Sequence, residues 1–248
     1  MARPQSRKLP LATKFIFALV WPLLMLFTKR DRRGEENLPN EGAFVIAVNH
    51  LSYIDPFVMA HWMVDNRLPP RYLVKDTIFS IPVVGWLFKH VGHIPVYRGT
   101  KDASKSLEAA VEQLKAGAVI YIYPEGTMTR DPDAWPMSGR TGAVRLAHEA
   151  GVPIIPVGQW GAQEILWPYR KGLHLLPRKT MHVNVGTPLD MSDLGENPTE
   201  EEYKVVTERL MDRITDLQAE IRGERPTRPR IDVHTLNKPK THHQSEEN

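Results

Sequence analysis

A histidine and an aspartate stand five residues apart in the stretch 49–56, where His50 follows an apolar run and Asp55 precedes a proline. Histidine side chains transfer protons well near neutral pH, because the free imidazole has a pKa of about 6.5. A nearby carboxylate can hold the ring in one tautomer and stabilise its protonated form. The pair therefore predicts a general base with an orienting acid. The alternative is a buried structural histidine beside an aspartate that caps a helix.

A strand, a turn and a helix start are needed to bring these two side chains together. Residues five apart on one straight helix would point about 140° away from each other. Residues 43–48 (AFVIAV) form a continuous apolar run that predicts a buried strand. Asp55 is a favourable N-cap residue and Pro56 suits the first helical position. His50 would then lie in the turn and Asp55 at the beginning of the helix.

Two further polar clusters also follow apolar runs. Arg98 comes after 92–96 (GHIPV), and its planar guanidinium suits bidentate binding of a phosphate or carboxylate. The turn Glu125-Gly126-Thr127, followed by Arg130, comes after 118–123 (AVIYIY). Its glycine permits close approach of the backbone to a ligand. The alternatives are an arginine in a surface ion pair and a plain turn with solvated charges.

The order of apolar runs and amphipathic segments predicts an α/β fold, with a mixed, largely parallel sheet flanked by helices. Ligand sites in such folds collect at the carboxyl ends of strands, which is where the three clusters stand. A long final helix is expected from Thr199, which begins a capping box, and it has a regular apolar stripe. Further strands are expected at 71–75, 152–157 and 181–185, with helical segments at 77–91, 102–116 and 139–150.

The basic charge of the chain is concentrated at its N-terminus. The 248 residues carry a net charge of +3, whereas residues 1–33 alone hold eight Lys/Arg and one acid. This distribution does not indicate a nucleic-acid-binding surface over the whole domain. The chain has no cysteine, which excludes disulfides, thiol nucleophiles and Cys-ligated zinc.

Thirteen apolar residues, 15–27, lie between basic flanks near the N-terminus. This segment is short for a membrane-spanning helix, which needs about 20 apolar residues, and no small-residue cleavage site follows it. We interpret it as an N-terminal interfacial membrane helix whose flanking cations face anionic head groups. The alternative is a core helix of the globular domain. We expect a membrane-associating segment and linker at 1–40, a catalytic domain at 41–222 and a disordered tail at 223–248.

Taken together, the motifs resemble those of the PlsC-type glycerolipid acyltransferases, which include the lysophosphatidate acyltransferases. The first family motif, Asn-His-x-Ser-x-x-Asp, matches Asn49, His50, Ser52 and Asp55. The second matches Arg98, the third matches 123–127 (YPEGT) and the fourth matches 152–157 (VPIIPV), in family order. One departure is that the third motif usually continues with Arg and Ser, whereas here Met128, Thr129 and then Arg130 follow.

The resemblance implies transfer of a fatty acyl group from acyl-CoA or acyl-carrier protein to a hydroxyl of lysophosphatidic acid or a related lipid, in phospholipid biosynthesis. It implies His50 as general base and Asp55 as its orienting acid. Four motif residues would bind the acceptor's phosphate, with Arg130 as a further ligand: Arg98, Glu125, Gly126 and Thr127. Supporting roles fall to Asn49, Ser52, Lys75 and Arg140.

We expect no bound cofactor, no metal site and no nucleic-acid partner. The enzyme would lie on the cytoplasmic face of the cell membrane as a peripheral or monotopic protein, where its partners are the acceptor lipid, the acyl thioester and an anionic surface. Two alternatives are a lipid hydrolase that uses the same His/Asp pair and a non-enzymatic membrane lipid-binding protein.

Overall fold

The computed structural model describes residues 14, 18, 21–22, 24–97 and 103–235. Within these ranges, seven strands build a five-stranded sheet and a two-stranded sheet. Their bounds are β1 Thr28–Arg33, β2 Phe44–Val48, β3 Leu73–Lys75, β4 Ile94–Val96, β5 Val119–Ile122, β6 Ile154–Trp160 and β7 Lys179–Val185. The expected α/β class is confirmed.

The main sheet has the strand order β1-β7-β6-β2-β5. All neighbours in it run parallel except β6 and β7, so the sheet is mixed and largely parallel as predicted. β3 and β4 pair in parallel beside it, and a bridge between Tyr72 and Tyr121 joins the two sheets. Because β2, β5 and β6 are parallel neighbours, their carboxyl ends meet at one edge.

Six α-helices have both of their ends within the described residues. They are α1 Asp55–Asp65, α2 Val84–Val91, α3 Ala103–Lys115, α4 Gly142–Ala150, α5 Ala162–Ile165 and α6 Glu200–Arg222. Two 3₁₀ turns, Glu35–Asn37 and Asp76–Ser80, precede longer elements. The capping box at the start of α6 is present: the Thr199 hydroxyl accepts from the Glu202 N–H, and the Glu202 carboxylate accepts from the Thr199 N–H.

The core lies on both faces of the central strand β2, whose five residues are all buried. Val45 and Ala47 face one apolar cluster with α3, α4 and α6, whereas Phe44, Ile46 and Val48 face a second cluster with α1. Successive strand residues point to opposite faces, so burial on both sides requires the uninterrupted apolar run seen in the sequence.

Two segments differ from the expected domain organisation. Residues 28–33, which we assigned to the membrane-associating segment, form the edge strand β1 and pair with β7 along their whole length. The charged side chains of this strand suit a sheet edge, since charge on an edge strand opposes pairing with another chain. Up to Thr235, the C-terminal segment lies against the domain and Val233 is buried, which differs from the disorder expected from residue 223 onward.

The apolar N-terminal segment is only partly described. Residues 21–22 and 24–27 are helical, as is Ala18. Among the described residues, no helix has both the length and the apolarity to cross a bilayer. Whether the segment lies in a membrane interface therefore stays a prediction.

Candidate active site

His50 is held at the carboxyl end of β2 by contacts to both neighbouring strands. The side chain of Asn49, fully buried, accepts from the backbone N–H of Gln159 at 2.8 Å and donates to its carbonyl at 3.1 Å, which locks the end of β2 to β6. The His50 N–H donates to Glu125 Oε1 at 2.9 Å, which ties the same turn to the loop after β5. The backbone at His50 is thus fixed by hydrogen bonds that do not involve the His50 side chain.

The predicted His–Asp pair is formed. His50 Nδ1 lies 2.8 Å from Asp55 Oδ2, and Asp55 is fully buried. A carboxylate is an acceptor, so Nδ1 carries the proton and Nε2 is left as the basic nitrogen. Among the described residues, none hydrogen-bonds to Nε2. The imidazole is also stacked on the ring of Tyr123, with centroids 3.9 Å apart.

Asp55 does not cap α1, contrary to our expectation. It is the first residue of the helix, the N-cap position belongs to Ile54, and no side-chain cap is made. Asp55 Oδ2 instead accepts from the backbone N–H groups of Leu51 and Ser52, at 2.5 and 2.8 Å. The carboxylate therefore closes the turn that presents His50.

Ser52 supports this turn from the other side. Its hydroxyl donates to the carbonyl of Leu166 at 2.7 Å and accepts from the N–H of Ile54. Asn49 and Ser52 are both buried. Their supporting role stays a prediction.

Glu125 has a different position from the one expected of a phosphate ligand. It is fully buried and does not line the cavity described below. Its two oxygens accept from the backbone N–H groups of His50 and Met137, at 2.9 and 3.0 Å. Burial raises the pKa of Glu125 to about 8, against the opposing effect of these hydrogen bonds. The geometry therefore assigns Glu125 to holding two loops together.

A cavity of about 1180 Å³ lies beside His50. Its walls are mainly apolar and come from α1, α2, α3 and α4, from the two-stranded sheet and from Trp21 and Leu24. Five predicted binding or supporting residues lie on its wall: Lys75, Gly126, Thr127, Arg130 and Arg140. Arg98 lies outside the described residues.

The charged part of the described cavity wall is exclusively basic. It carries Lys75, Arg130 and Arg140, and no described Asp or Glu lines it. His93, also on the wall, accepts from the Tyr72 N–H through Nδ1, and burial lowers its pKa to about 4, so it is neutral near pH 7. A cavity with apolar walls and a cationic patch suits a ligand that has an acyl chain and an anionic group.

The third-motif turn is fixed by backbone hydrogen bonds. Gly126 has a φ of +71°, a left-handed conformation that favours glycine. The Arg140 N–H donates to the Pro124 carbonyl, and the Thr129 N–H donates to the His50 carbonyl. These bonds bring Arg140 and the 126–130 turn to the same side of the cavity as His50.

Sequence reasoning missed three residues that shape the site. Gln159 follows the fourth motif and anchors Asn49, and its place near the end of an apolar strand was the available signal. Tyr123 belongs to the third motif, but no role was predicted for its ring, which is stacked on the His50 imidazole. Tyr169 contacts the third-motif turn from a segment in which we found no sequence signal. No described group of His, Asp and Glu side chains has the arrangement of a metal site.

Comparison with known proteins identifies the family. A sequence model described as Acyltransferase matches residues 29–160, which is more than half of the chain. The chain therefore belongs to the acyltransferase family. The predictions of a PlsC-type family member and of an acyltransferase enzyme are confirmed.

The chain is similar to proteins named 1-acyl-sn-glycerol-3-phosphate acyltransferase. The Bacillus subtilis protein of that name is 27% identical over 185 residues, which cover 75% of this chain and 86% of that protein. The chloroplastic protein BAT2 of Brassica napus is 30% identical over 153 residues, which cover 60% of this chain and 43% of that protein. The match thus spans less than half of the plant relative.

A solved structure has the same fold. The crystal structure of the 1-acyl-sn-glycerophosphate (LPA) acyltransferase PlsC from Thermotoga maritima superposes with a TM-score of 0.62 at 24% identity. The likeness covers 84% of this chain and 80% of that one. At this level of identity the likeness concerns the fold.

Proposed function

We propose that this acyltransferase moves a fatty acyl group from a thioester donor to the free hydroxyl of lysophosphatidic acid or a closely related glycerol phosphate lipid. The observation that carries the proposal is the cavity beside His50, because its described charged wall residues are all cations and the rest of the wall is mainly apolar. Such a cavity suits a lipid that carries a phosphate. The names of the similar proteins agree with this substrate class.

His50 acts as the general base in this proposal. Nε2 takes the proton of the acceptor hydroxyl while Asp55, bonded to Nδ1, stabilises the imidazolium that forms. The hydroxyl oxygen attacks the thioester carbonyl, the C–S bond breaks, and the leaving thiolate receives the proton from His50. The acyl group passes directly to the acceptor, so no nucleophile from the protein is needed, which agrees with a chain without cysteine.

The cations bind the acceptor's phosphate in this proposal. Arg130 and Arg140 can each donate two parallel hydrogen bonds to a phosphate, and Lys75 adds a point charge. Binding through the phosphate would place the glycerol hydroxyl near His50, and such positioning can contribute several kcal/mol to catalysis. Arg98 stays a predicted ligand on motif grounds. The donor, acyl-CoA or acyl-carrier protein, is expected as a substrate, and no bound cofactor is required.

We also propose that the protein binds the cytoplasmic face of the cell membrane, as a peripheral or monotopic protein. Large apolar side chains are exposed beside the cavity, among them Phe57, Val83 at 75% and Trp86 at 60%. Lys89 lies on α2 with Trp86 and provides a cation for anionic head groups. Release of the protein from membranes by high salt alone would contradict insertion of the 15–27 segment.

A labelled acyl thioester tests the reaction. Purified protein is given radiolabelled acyl-CoA, and in parallel labelled acyl-carrier protein, with lysophosphatidic acid or with buffer alone. We expect label in a diacyl product that forms only with the acceptor present. If the label appears only as free fatty acid, the protein is a hydrolase and the transferase proposal is wrong.

His50→Ala should abolish product formation and leave membrane binding intact. His182→Ala is a matched control, because His182 Nδ1 also bonds an aspartate, Asp31, at 2.9 Å, but does not line the cavity. Equal activity of the two variants would contradict the assignment of the base. Loss of membrane binding in His50→Ala would show that the substitution disturbs more than the chemistry.

A further inference from the structure

Tyr169 lies on the segment between α5 and β7 and contacts the third-motif turn. Its hydroxyl donates to the Met128 carbonyl at 2.9 Å and lies 3.1 Å from Thr127 Oγ1. The Arg130 guanidinium lies over its ring, 5.5 Å from the centroid. One side chain thus contacts three of the residues that follow Gly126.

The segment that carries Tyr169 is itself bound to the catalytic turn. Leu166 lies three residues before Tyr169, and its carbonyl accepts a hydrogen bond from the Ser52 hydroxyl. The segment therefore bridges the turn that presents His50 and the turn that presents Arg130. Tyr169 acts from outside the cavity wall, since it does not line the cavity.

The backbone at Tyr169 has a φ of +59°, a left-handed conformation that is unfavourable for a residue with a side chain. Such a conformation costs about 1–2 kcal/mol. It persists only where surrounding contacts offset it, and such residues concentrate at functional sites. Here the contacts are those that Tyr169 makes with the 127–130 turn.

These contacts involve the part of the third motif in which this chain departs from the usual pattern, since Met128 and Thr129 separate Thr127 from Arg130. The Met128 side chain is buried, so a cation at this position would point into the protein. Arg130, two residues later, is exposed, and its guanidinium lies over the Tyr169 ring. A long, exposed side chain needs support if it is to meet a ligand in one geometry.

We propose that Tyr169 is a positioning residue that holds the 127–130 turn and directs Arg130 toward the phosphate of the acceptor lipid. The inference rests on the proposed function and assigns Arg130 to the place of the arginine that usually follows the threonine. Tyr169 contributes to recognition of the phosphate and takes no part in proton transfer or in binding of the acyl donor.

Two substitutions of Tyr169 separate its contributions. Tyr169→Phe removes both hydrogen bonds of the hydroxyl and keeps the ring, and we expect the KM for lysophosphatidic acid to rise about fivefold. Tyr169→Leu also removes the ring beneath Arg130, and we expect a rise of about 10- to 30-fold. The kcat and the KM for the acyl donor should stay within about twofold of the unsubstituted protein.

An acceptor without a phosphate distinguishes positioning from general damage. With a monoacylglycerol of the same chain length, Tyr169→Phe and the unsubstituted protein should react equally slowly. Arg130→Gln combined with Tyr169→Leu should be no worse than Arg130→Gln alone. Arg170→Gln is the control on the same segment, since its guanidinium lies over Trp167 and not over the third-motif turn. An unchanged KM for lysophosphatidic acid in both Tyr169 variants, or equal losses with both acceptors, would overturn the proposal.

Binding by calorimetry makes the test independent of turnover. The probes are a short-chain lysophosphatidic acid and the matching monoacylglycerol. We expect Tyr169→Leu to weaken binding of the first about 10-fold and not to change binding of the second. Equal affinity of both proteins for the phosphate-bearing probe would refute the role of Tyr169, whether or not the protein transfers acyl groups. Normal binding without any transfer would instead refute the proposed function.

Discussion

At the scale of single residues, two histidines of the described part of the chain bond an aspartate through Nδ1 at almost the same distance. His50 and Asp55 are 2.8 Å apart, and His182 and Asp31 are 2.9 Å apart. The first pair faces a cavity, whereas the second joins the edge strand β1 to its neighbour β7. Local geometry alone therefore does not define the site, and the cavity distinguishes the two pairs.

Asp55→Asn should lower kcat by about 10²-fold or more, because an amide cannot stabilise the imidazolium of His50. The same substitution at Asp31 should leave kcat within about twofold, although Asp31 has a lowered pKa from its bonds to Arg33 and His182. Steady-state kinetics with saturating lysophosphatidic acid measures both. If the two variants lose equal activity, the loss at Asp55 reflects the fold and not the reaction.

Glu125 gives stability a pH dependence. Burial raises its pKa from 4.5 to about 8, so between these values the native state holds a proton that the unfolded state has released. Stability therefore falls as pH rises from about 4.5 to 8, and above pH 8 the loss persists but no longer grows through titration of this group.

In Glu125→Gln this part of the pH dependence should be absent. The variant should be less stable overall, because the NH2 group of the glutamine replaces one of the two oxygens that accept from a backbone N–H. Urea unfolding at pH 5, 6, 7 and 8 measures the slope. Glu201→Gln, at an exposed position of α6, controls for the loss of one carboxyl group. A slope in Glu125→Gln equal to that of the unsubstituted protein would contradict the assignment.

At the scale of elements, the contact between β6 and α6 decides how closely the last helix approaches the sheet. Gly158 lies in β6, and a Cβ there would be 2.7 Å from the backbone nitrogen of Gln218 and 2.8 Å from the carbonyl carbon of Leu217. These are backbone atoms of a buried helix, which cannot move aside as a flexible side chain would. The small residue after the fourth motif thus permits the close packing of α6 on β6.

Gly158→Ala should destabilise the protein by about 1–3 kcal/mol, as overpacking of a core does. Gly195→Ala is the matched control, because a Cβ there meets no atom within 4 Å. Thermal unfolding of the two variants provides the comparison. Equal melting temperatures would mean that α6 can shift without cost.

At the scale of the whole molecule, the C-terminal segment returns to the active-site side of the domain. The Ile231 carbonyl accepts from the Ser138 N–H, and the Val233 N–H donates to the Ser138 hydroxyl. Val233 is buried and contributes to the cavity wall. Arg222, whose guanidinium lies between the rings of Trp135 and Trp160, fixes the point where this segment leaves α6.

Val233→Ala should lower the free energy of unfolding by about 1.5 kcal/mol, because two buried methyl groups are lost at about 0.8 kcal/mol each. Val205→Ala removes the same atoms from an exposed position of α6 and should change stability by less than about 0.5 kcal/mol. Chemical denaturation measures both. No loss of stability in Val233→Ala would show that the segment is not part of the cooperative unit.

The sequence by itself determined the fold class, the central strands and the pairing of His50 with Asp55. Strands buried on both faces need continuous apolar runs, such as 44–48, and these are visible without coordinates. The His50–Asp55 spacing excluded a single helix and required a strand, a turn and a helix start, which is the arrangement that β2 and α1 have. The resemblance of the motifs then led to the acyltransferase family.

Only the tertiary structure decided what the neighbouring polar residues do. In the sequence, Glu125 and Arg130 look equally suited to binding a ligand. In the structure, Glu125 is buried and accepts from two backbone N–H groups, whereas Arg130 lines the cavity. Tyr169 and Val233 reach the site from segments more than 35 residues beyond the third-motif turn, and no local pattern encodes such contacts. The physical reason is that periodicity and turn chemistry are local, whereas burial, desolvation and the shape of a cavity arise only when distant segments meet.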